Sequence, residues 1–140
     1  MVKDFKLALP EADIYVYDNN STDRSLINAT NAGAIIKTEI QKGKGSVIRS
    51  QFRDIDADIY ILVDGDDTYP VDQVKDLIQP LIDQDVDMVV GDRISGGSYD
   101  LANDRSLHSF GNKFITALIN LFFATNLKDM MSGFRALNKK

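Results

Sequence analysis

The chain has 140 residues, 16 basic and 21 acidic side chains, a formal net charge of −5, no cysteine, and 44% hydrophobic against 26% charged residues. That is the balance of one globular domain and not of a disordered or fibrous chain; the missing cysteines remove disulfides, thiolate metal sites and cysteine nucleophiles together, and the acidic surplus argues against a nucleic-acid partner, whose phosphates call for a basic field. No apolar run reaches the ~18 residues of a membrane span, and Lys3, Asp4 and Lys6 stand where a signal peptide would be apolar.

In chain order, Val2 to Leu9 has helical spacing, and Ile14 to Tyr17 is the first run that suits a buried strand. Ser25-Leu26-Ile27 to Ala32 predicts a helix, with Ser21 or Thr22 as its cap and Asp23 favourable near its start. Ala34-Ile35-Ile36 predicts a second strand, Val47 to Phe52 a helix, Ile59 to Val63 a third strand, and the spacing of Val71, Val74, Leu77, Ile78 and Leu81 a further helix before the strand Met88-Val89-Val90. Ser95-Gly96-Gly97-Ser98 reads as a connection. From about Leu107 an unusually apolar helical pattern includes Phe110, Phe114, Leu118, Leu121, Phe122 and Phe123; it suits either a core-facing helix or a surface lying at a membrane interface. Alternating strands and helices predict an α/β fold with a mainly parallel sheet flanked by helices and right-handed crossovers. Such folds usually begin with a strand, so a first strand is expected to be missing ahead of the opening helix.

Polar clusters follow the strands, where an open parallel sheet places its ligands. After the third strand comes Asp64-Gly-Asp66-Asp67-Thr-Tyr-Pro. Alternate side chains of an extended segment face the same way, so Asp64 and Asp66 can share a hard divalent cation, Mg2+ or Mn2+, through oxygen ligands. An EF-hand is excluded, because Tyr69 and Lys75 occupy the positions where that loop needs glycine and glutamate. After the first strand, Asp18 and Asn19 offer acceptors and donors suited to a base or ribose edge, while the dinucleotide fingerprint is absent. Lys42-Gly43-Lys44-Gly45 opens a helix in the manner of a phosphate-binding loop, although its spacing is not that of a Walker A motif. The guanidiniums of Arg93 and Arg105 could hold a second phosphate or be ordinary surface arginines, Ser109 follows His108, which suits a structural role at a helix start, and Asp129 lies just after the apolar helix, ahead of Ser132-Gly133-Phe134-Arg135.

Taken together, YDNNSTDRS, QKGKGSVIRSQF, ADIYILVDGDDTYP, MVVGDRI, RSLHSFGNKF and DMMSGFRAL, in that order, resemble the family 2 glycosyltransferases of the GT-A fold, which is Rossmann-like. Among these the chain is most similar to the polyprenyl-phosphate and dolichol-phosphate sugar transferases. The resemblance implies a hexosyltransferase that moves a sugar, with inversion, from a nucleoside-diphosphate sugar to a polyprenyl phosphate at the cytoplasmic face of a membrane, with a uridine donor preferred. It implies that Asp64 and Asp66 hold the metal, that Asp18, Asn19 and Lys44 contact the nucleotide, that Arg93, Arg105 and Ser109 grip the acceptor phosphate, and that Asp66, Asp129 and Arg93 serve the reacting centre, with Arg135 closing the last motif. Relatives begin with a strand and nucleotide-binding turn that precede this chain's first helix and continue beyond the SGFR motif, so residues 1–140 are expected to be a single GT-A domain lacking both ends. Two alternatives stand beside this reading. Asp64-Gly-Asp66-Asp67-Thr68 also fits the nucleophile motif of haloacid-dehalogenase-type phosphatases, although the later acidic pair is incomplete after Gly91-Asp92, and a domain that binds nucleotide without turnover would use the same clusters.

Overall fold

Residues 1–84, 86–91, 115–122 and 132–139 are described by the computed structural model, and the chain divides into two units, Met1–Asp58 with Pro70–Lys75 and Ile59–Tyr69 with Asp76–Lys140.

In the first unit, α1 (Val2–Ala8) buries Phe5 and lies beside a 3-10 turn at Val71–Gln73. Strand β1 (Tyr15–Asp18) pairs in parallel with β2 (Ile35–Thr38), Tyr15 opposite Ile35 and Asp18 opposite Thr38. The crossover between them is α2 (Ser25–Asn31), which packs along β2. This helix ends in a Schellman turn: Gly33 N–H donates to Thr30 O at 2.9 Å and Ala34 N–H to Ala29 O at 3.1 Å, with Gly33 at φ +86°. Neither Ser21 nor Thr22 caps α2, contrary to expectation. The helix starts at Ser25, whose N–H donates to Asp23 Oδ1 at 2.9 Å, so the aspartate does the capping work from just outside the first turn. Beyond β2 runs α3 (Lys44–Asp54), entered through Gly43 at φ +119°, a conformation that side chains other than glycine rarely adopt.

The second unit holds β3 (Ile59–Leu62), β4 (Met88–Val90) and β5 (Arg135–Asn138) in the order β3-β5-β4. The sequence predicts β3 and β4, and predicts that they run the same way. They do, but β5 lies between them and is antiparallel to both, so both strand pairs of this sheet are antiparallel and not parallel as expected. Its four residues, Arg-Ala-Leu-Asn, include no β-branched or aromatic side chain and so carry no strand signal. What makes them a strand is the pairing on both edges: Ala136, wholly buried, stands opposite Ile61 on one side and Val89 on the other. Between β3 and β4 in the chain, α4 (Val74–Asp83) buries Val74, Leu77 and Leu81 along one face, the stripe its spacing predicts.

Residues 115–122 are helical. They bury Thr116 and leave Leu121 and Phe122 about three-quarters exposed, at 76% and 75%, so this stretch of the apolar pattern does not face a core. Among the described residues no helix is long and apolar enough to cross a membrane.

Candidate active site

The carboxylates that follow β3 are placed by interactions inside the second unit. Asp64 is half-buried and Asp66 exposed. Asp66 Oδ1 accepts hydrogen bonds from Thr68 N–H at 3.3 Å and from Thr68 Oγ1 at 2.7 Å, an aspartate turn that orients the side chain by local geometry alone. Asp67 sits at φ +61°, the left-handed region that aspartate tolerates better than most residues. The next turn brings in Tyr69, which is 6% exposed.

Tyr69 links this segment to one that sequence reasoning treats separately. Its hydroxyl accepts a hydrogen bond from Gly133 N–H at 2.7 Å, and its ring lies 5.4 Å from that of Phe134, tilted by 30°. Gly133 thereby lies against the Asp64 side chain so closely that a Cβ there would stand 2.5 Å from Asp64 Cγ and 2.9 Å from Oδ1. At φ below zero the backbone of Gly133 does not itself demand glycine; the carboxylate beside it does. The end of β4 closes on the same segment. Gly91 N–H donates to Phe134 O at 2.8 Å, and a Cβ on Gly91 would meet Phe134 Cδ1 at 2.9 Å. Ser132 is 1% exposed, its Oγ accepts from Phe134 N–H at 3.3 Å, and its carbonyl accepts from Arg135 Nε at 2.9 Å. The Ser-Gly-Phe-Arg motif is therefore a wedge against which the first aspartate of Asp64-Gly-Asp66 is set. The sequence names Tyr69, Gly91 and Gly133 within its motifs but gives none of them a role in the site. The available signal is a glycine between two residues that bury, Ser132 and Phe134, which marks a close approach of backbone.

Asp64 and Asp66 are the carboxylates this segment is expected to offer a cation, with Asp67 beside them. Among the described residues no group of three or more Asp, Glu or His side chains could enclose a metal ion. That donor set fits Mg2+ or Mn2+, which retain water and bind through one or two carboxylates together with substrate phosphates, better than it fits a cation that requires a complete protein cage.

In the first unit, Asp18 ends β1, is 8% exposed, and accepts a hydrogen bond from Ser21 N–H at 3.2 Å. Asn19 is engaged by the chain itself. Its Nδ2 donates to Glu39 O at 2.7 Å and to Gln41 O at 2.9 Å, and its Oδ1 accepts from Gly43 N–H at 2.8 Å. Asn20, at φ +68°, donates from Nδ2 to Ile40 O at 3.0 Å. The Glu39 carboxylate in turn accepts from Gln41 N–H at 2.6 Å and from the Ser50 hydroxyl on α3. Those bonds, the Ser50 hydroxyl foremost and then the Gln41 amide, hold Glu39 below the usual range for a glutamate. Further along α3, Arg53 Nε donates to Asp54 Oδ1 at 2.8 Å and keeps that aspartate low, while burial and then the Asp54 charge push Tyr17 up. Lys44, the first residue of α3, is exposed directly after this restrained loop.

The predicted site residues thus divide. Asp18, Asn19 and Lys44 belong to the first unit, Asp64 and Asp66 to the second, and Arg93, Arg105, His108, Ser109 and Asp129 lie outside the described residues.

The model of the family described as glycosyl transferase family 2 matches residues 3–140. Protein RfbJ of Shigella flexneri is 50% identical over 97 residues, which are 69% of this chain and 75% of RfbJ. The UDP-N-acetylglucosamine--dolichyl-phosphate N-acetylglucosaminyltransferase of Methanococcus voltae is 30% identical over 109 residues, 74% of this chain and 42% of that enzyme. Glucosyl-3-phosphoglycerate synthase from Mycobacterium tuberculosis, solved in complex with Mn2+ and uridine-diphosphate-glucose, superposes with a TM-score of 0.70 at 20% identity over 98% of this chain and 51% of its own. At that identity the likeness concerns the GT-A fold. The chain spans three-quarters of RfbJ and about half or less of the other two.

Proposed function

The chain belongs to glycosyl transferase family 2, and from that premise we propose that it carries the donor-binding part of a metal-dependent, inverting hexosyltransferase that takes its sugar from a nucleoside-diphosphate sugar, with uridine as the base, and delivers it to a polyprenyl phosphate. The observation that carries the reading is the pair Asp64 and Asp66 at the exit of β3, the first set against Gly133 and the second held by Thr68. Family membership displaces the phosphatase alternative, which would use the same aspartates. The acceptor class rests on the motif order and on what the name of the Methanococcus voltae relative states of that protein.

Each residue then has a physical task. Asp64 and Asp66 would hold Mg2+ or Mn2+, which when bound neutralises the charge that grows on a departing diphosphate. Asp18, at the end of β1, would meet the nucleoside, and Lys44 would supply positive charge to the donor phosphates. Arg93, Arg105 and Ser109 hold the acceptor phosphate, and the permanent charge of the guanidiniums offsets the repulsion between two anionic substrates. Such a phosphate is already an anion near neutral pH, so the acceptor attacks without a strong general base; Asp129 and Arg93 orient it for in-line displacement. The acceptor places the working enzyme at the cytoplasmic face of a membrane.

The test is the titration of the chain with uridine diphosphate in the presence and absence of Mn2+. Asp66→Asn keeps the acceptor for Thr68 but removes the charge, and is expected to abolish the metal-dependent part of the affinity. Equal affinity of Asp66→Asn and the unsubstituted chain in Mn2+ would refute the metal assignment.

A further inference from the structure

We propose that Asn19 is a positioning residue for the donor-binding loop, one that clips residues 39–43 to the exit of β1 and so sets where Lys44 stands, and that it does not itself read the nucleotide. The proposal rests on the functional reading above for the role of Lys44, and on independent geometry for the role of Asn19.

An asparagine side chain has two N–H donors and a carbonyl acceptor. Both donors of Asn19 are spent, on Glu39 O at 2.7 Å and Gln41 O at 2.9 Å, and the carbonyl takes Gly43 N–H at 2.8 Å. These partners lie 20, 22 and 24 residues further along the chain. The chain bends at Gln41 and at Gly43, so that it curls round the side chain and one amide closes on all three. No N–H remains for a base or ribose edge.

The loop requires such restraint. It passes from β2 to α3 through Gly43 at φ +119°, and no interaction within residues 39–43 apart from the Glu39 carboxylate on Gln41 N–H holds that path. Asn20 adds a bond to Ile40 O at 3.0 Å, and Ser50 ties Glu39 to α3. The loop is thus fastened to β1 at one end and to α3 at the other, and Lys44 is the next residue after the last bond to Asn19. A loop held in its bound conformation binds more tightly because less ordering remains to be done on binding.

The experiment is a double-mutant cycle read by calorimetric titration with uridine diphosphate and Mn2+, using the unsubstituted chain, Asn19→Ala, Lys44→Ala and the double variant, with hydrogen exchange of the amides of residues 40–45 as a second readout. Each single substitution is expected to weaken binding about tenfold, and the double variant to bind no more than about threefold weaker than Lys44→Ala alone, since residues that act through one another are not additive. Faster exchange at Gly43 in Asn19→Ala is expected as well. Asn19→Asp keeps the bond from Gly43 but sets a carboxylate against two carbonyls; it is expected to resemble Asn19→Ala and serves in its place should that variant not fold. Independent losses multiplying to about a hundredfold would show that Asn19 touches the nucleotide, and unchanged exchange at Gly43 would show that the clip does not order the loop; either overturns the proposal. Absence of any uridine diphosphate binding by the unsubstituted chain would bring down the functional reading and this inference with it, whereas binding without coupling would bring down the inference alone.

Discussion

Gly133→Ala isolates the steric relation between the Ser-Gly-Phe-Arg wedge and Asp64. The added methyl would stand 2.5 Å from Asp64 Cγ and 2.9 Å from Oδ1, whereas non-bonded carbon atoms rest at about 3.5–4.0 Å. The carboxylate must therefore retreat by roughly 1 Å, since the backbone of residue 133 is held by the 2.7 Å bond from its N–H to Tyr69. Gly133 is not among the glycines at positive φ, so alanine meets no backbone penalty there and would on its own add about 0.4–1 kcal/mol by restricting the unfolded chain. Against this stands an overpacking cost of about 1–3 kcal/mol, which gives a net destabilisation of about 1 kcal/mol. The effect on the proposed cation site is larger, because a carboxylate displaced by roughly 1 Å would no longer serve as a ligand. Titration with uridine diphosphate should show the Mn2+-dependent affinity falling at least about tenfold, equivalent to ~1.4 kcal/mol, with metal-independent binding unchanged. In an Asp64→Ala background the same substitution should cost neither stability nor affinity, since the clashing group is gone. Wild-type Mn2+-dependent affinity in Gly133→Ala, or an undiminished stability cost in the Asp64→Ala background, would refute the reasoning.

Tyr69→Phe keeps the ring packed near Phe134 but removes the acceptor for the buried Gly133 N–H; an unsatisfied buried donor costs about 1–3 kcal/mol, so urea denaturation should show a loss in that range, and an unchanged midpoint would show that Gly133 finds another partner. Ser50→Ala removes the hydroxyl whose hydrogen bond does most to hold the Glu39 carboxyl below its usual range. A carboxyl group depressed in the folded state contributes stability that is present above its ordinary value of 4.5 and is lost as pH falls through the folded value. The stability gap between wild type and Ser50→Ala should therefore be full at neutral pH and shrink as pH drops below about 4.5, and the Glu39 carboxyl resonance of the variant should titrate at higher pH. A gap that widened towards acid would contradict the assignment.

Much of this architecture can be read from local pattern. The run Ile59 to Val63 is β-branched and aromatic enough to be a strand in any context, α4 repeats its apolar residues at helical spacing, and carboxylates directly after a buried strand are costly unless a cation or hydrogen bonds compensate them. The family, the fold class and the proposed metal-binding pair follow from such features because they depend on residues near one another in the chain, and six motifs in order leave little room for chance. Long-range pairing decided the rest. Arg135–Asn138 has no strand propensity and becomes the central strand of its sheet only because β3 and β4 each offer it an edge. The amide of Asn19 is chemically as able to read a ribose as to clip a loop; only the fold shows that Glu39, Gln41 and Gly43, from beyond β2, take up its two N–H donors and its carbonyl. Asp64 and Gly133 stand in separate motifs, and nothing short of their contact reveals that one requires the other to be glycine. Sequence alone determined which side chains bring charge, donors and apolar surface, since those are properties of residues and their periodicity. Tertiary structure alone decided which of them face each other, because a hydrogen bond or a steric limit between residues tens of positions apart exists only once the chain has folded to bring them within a few ångströms.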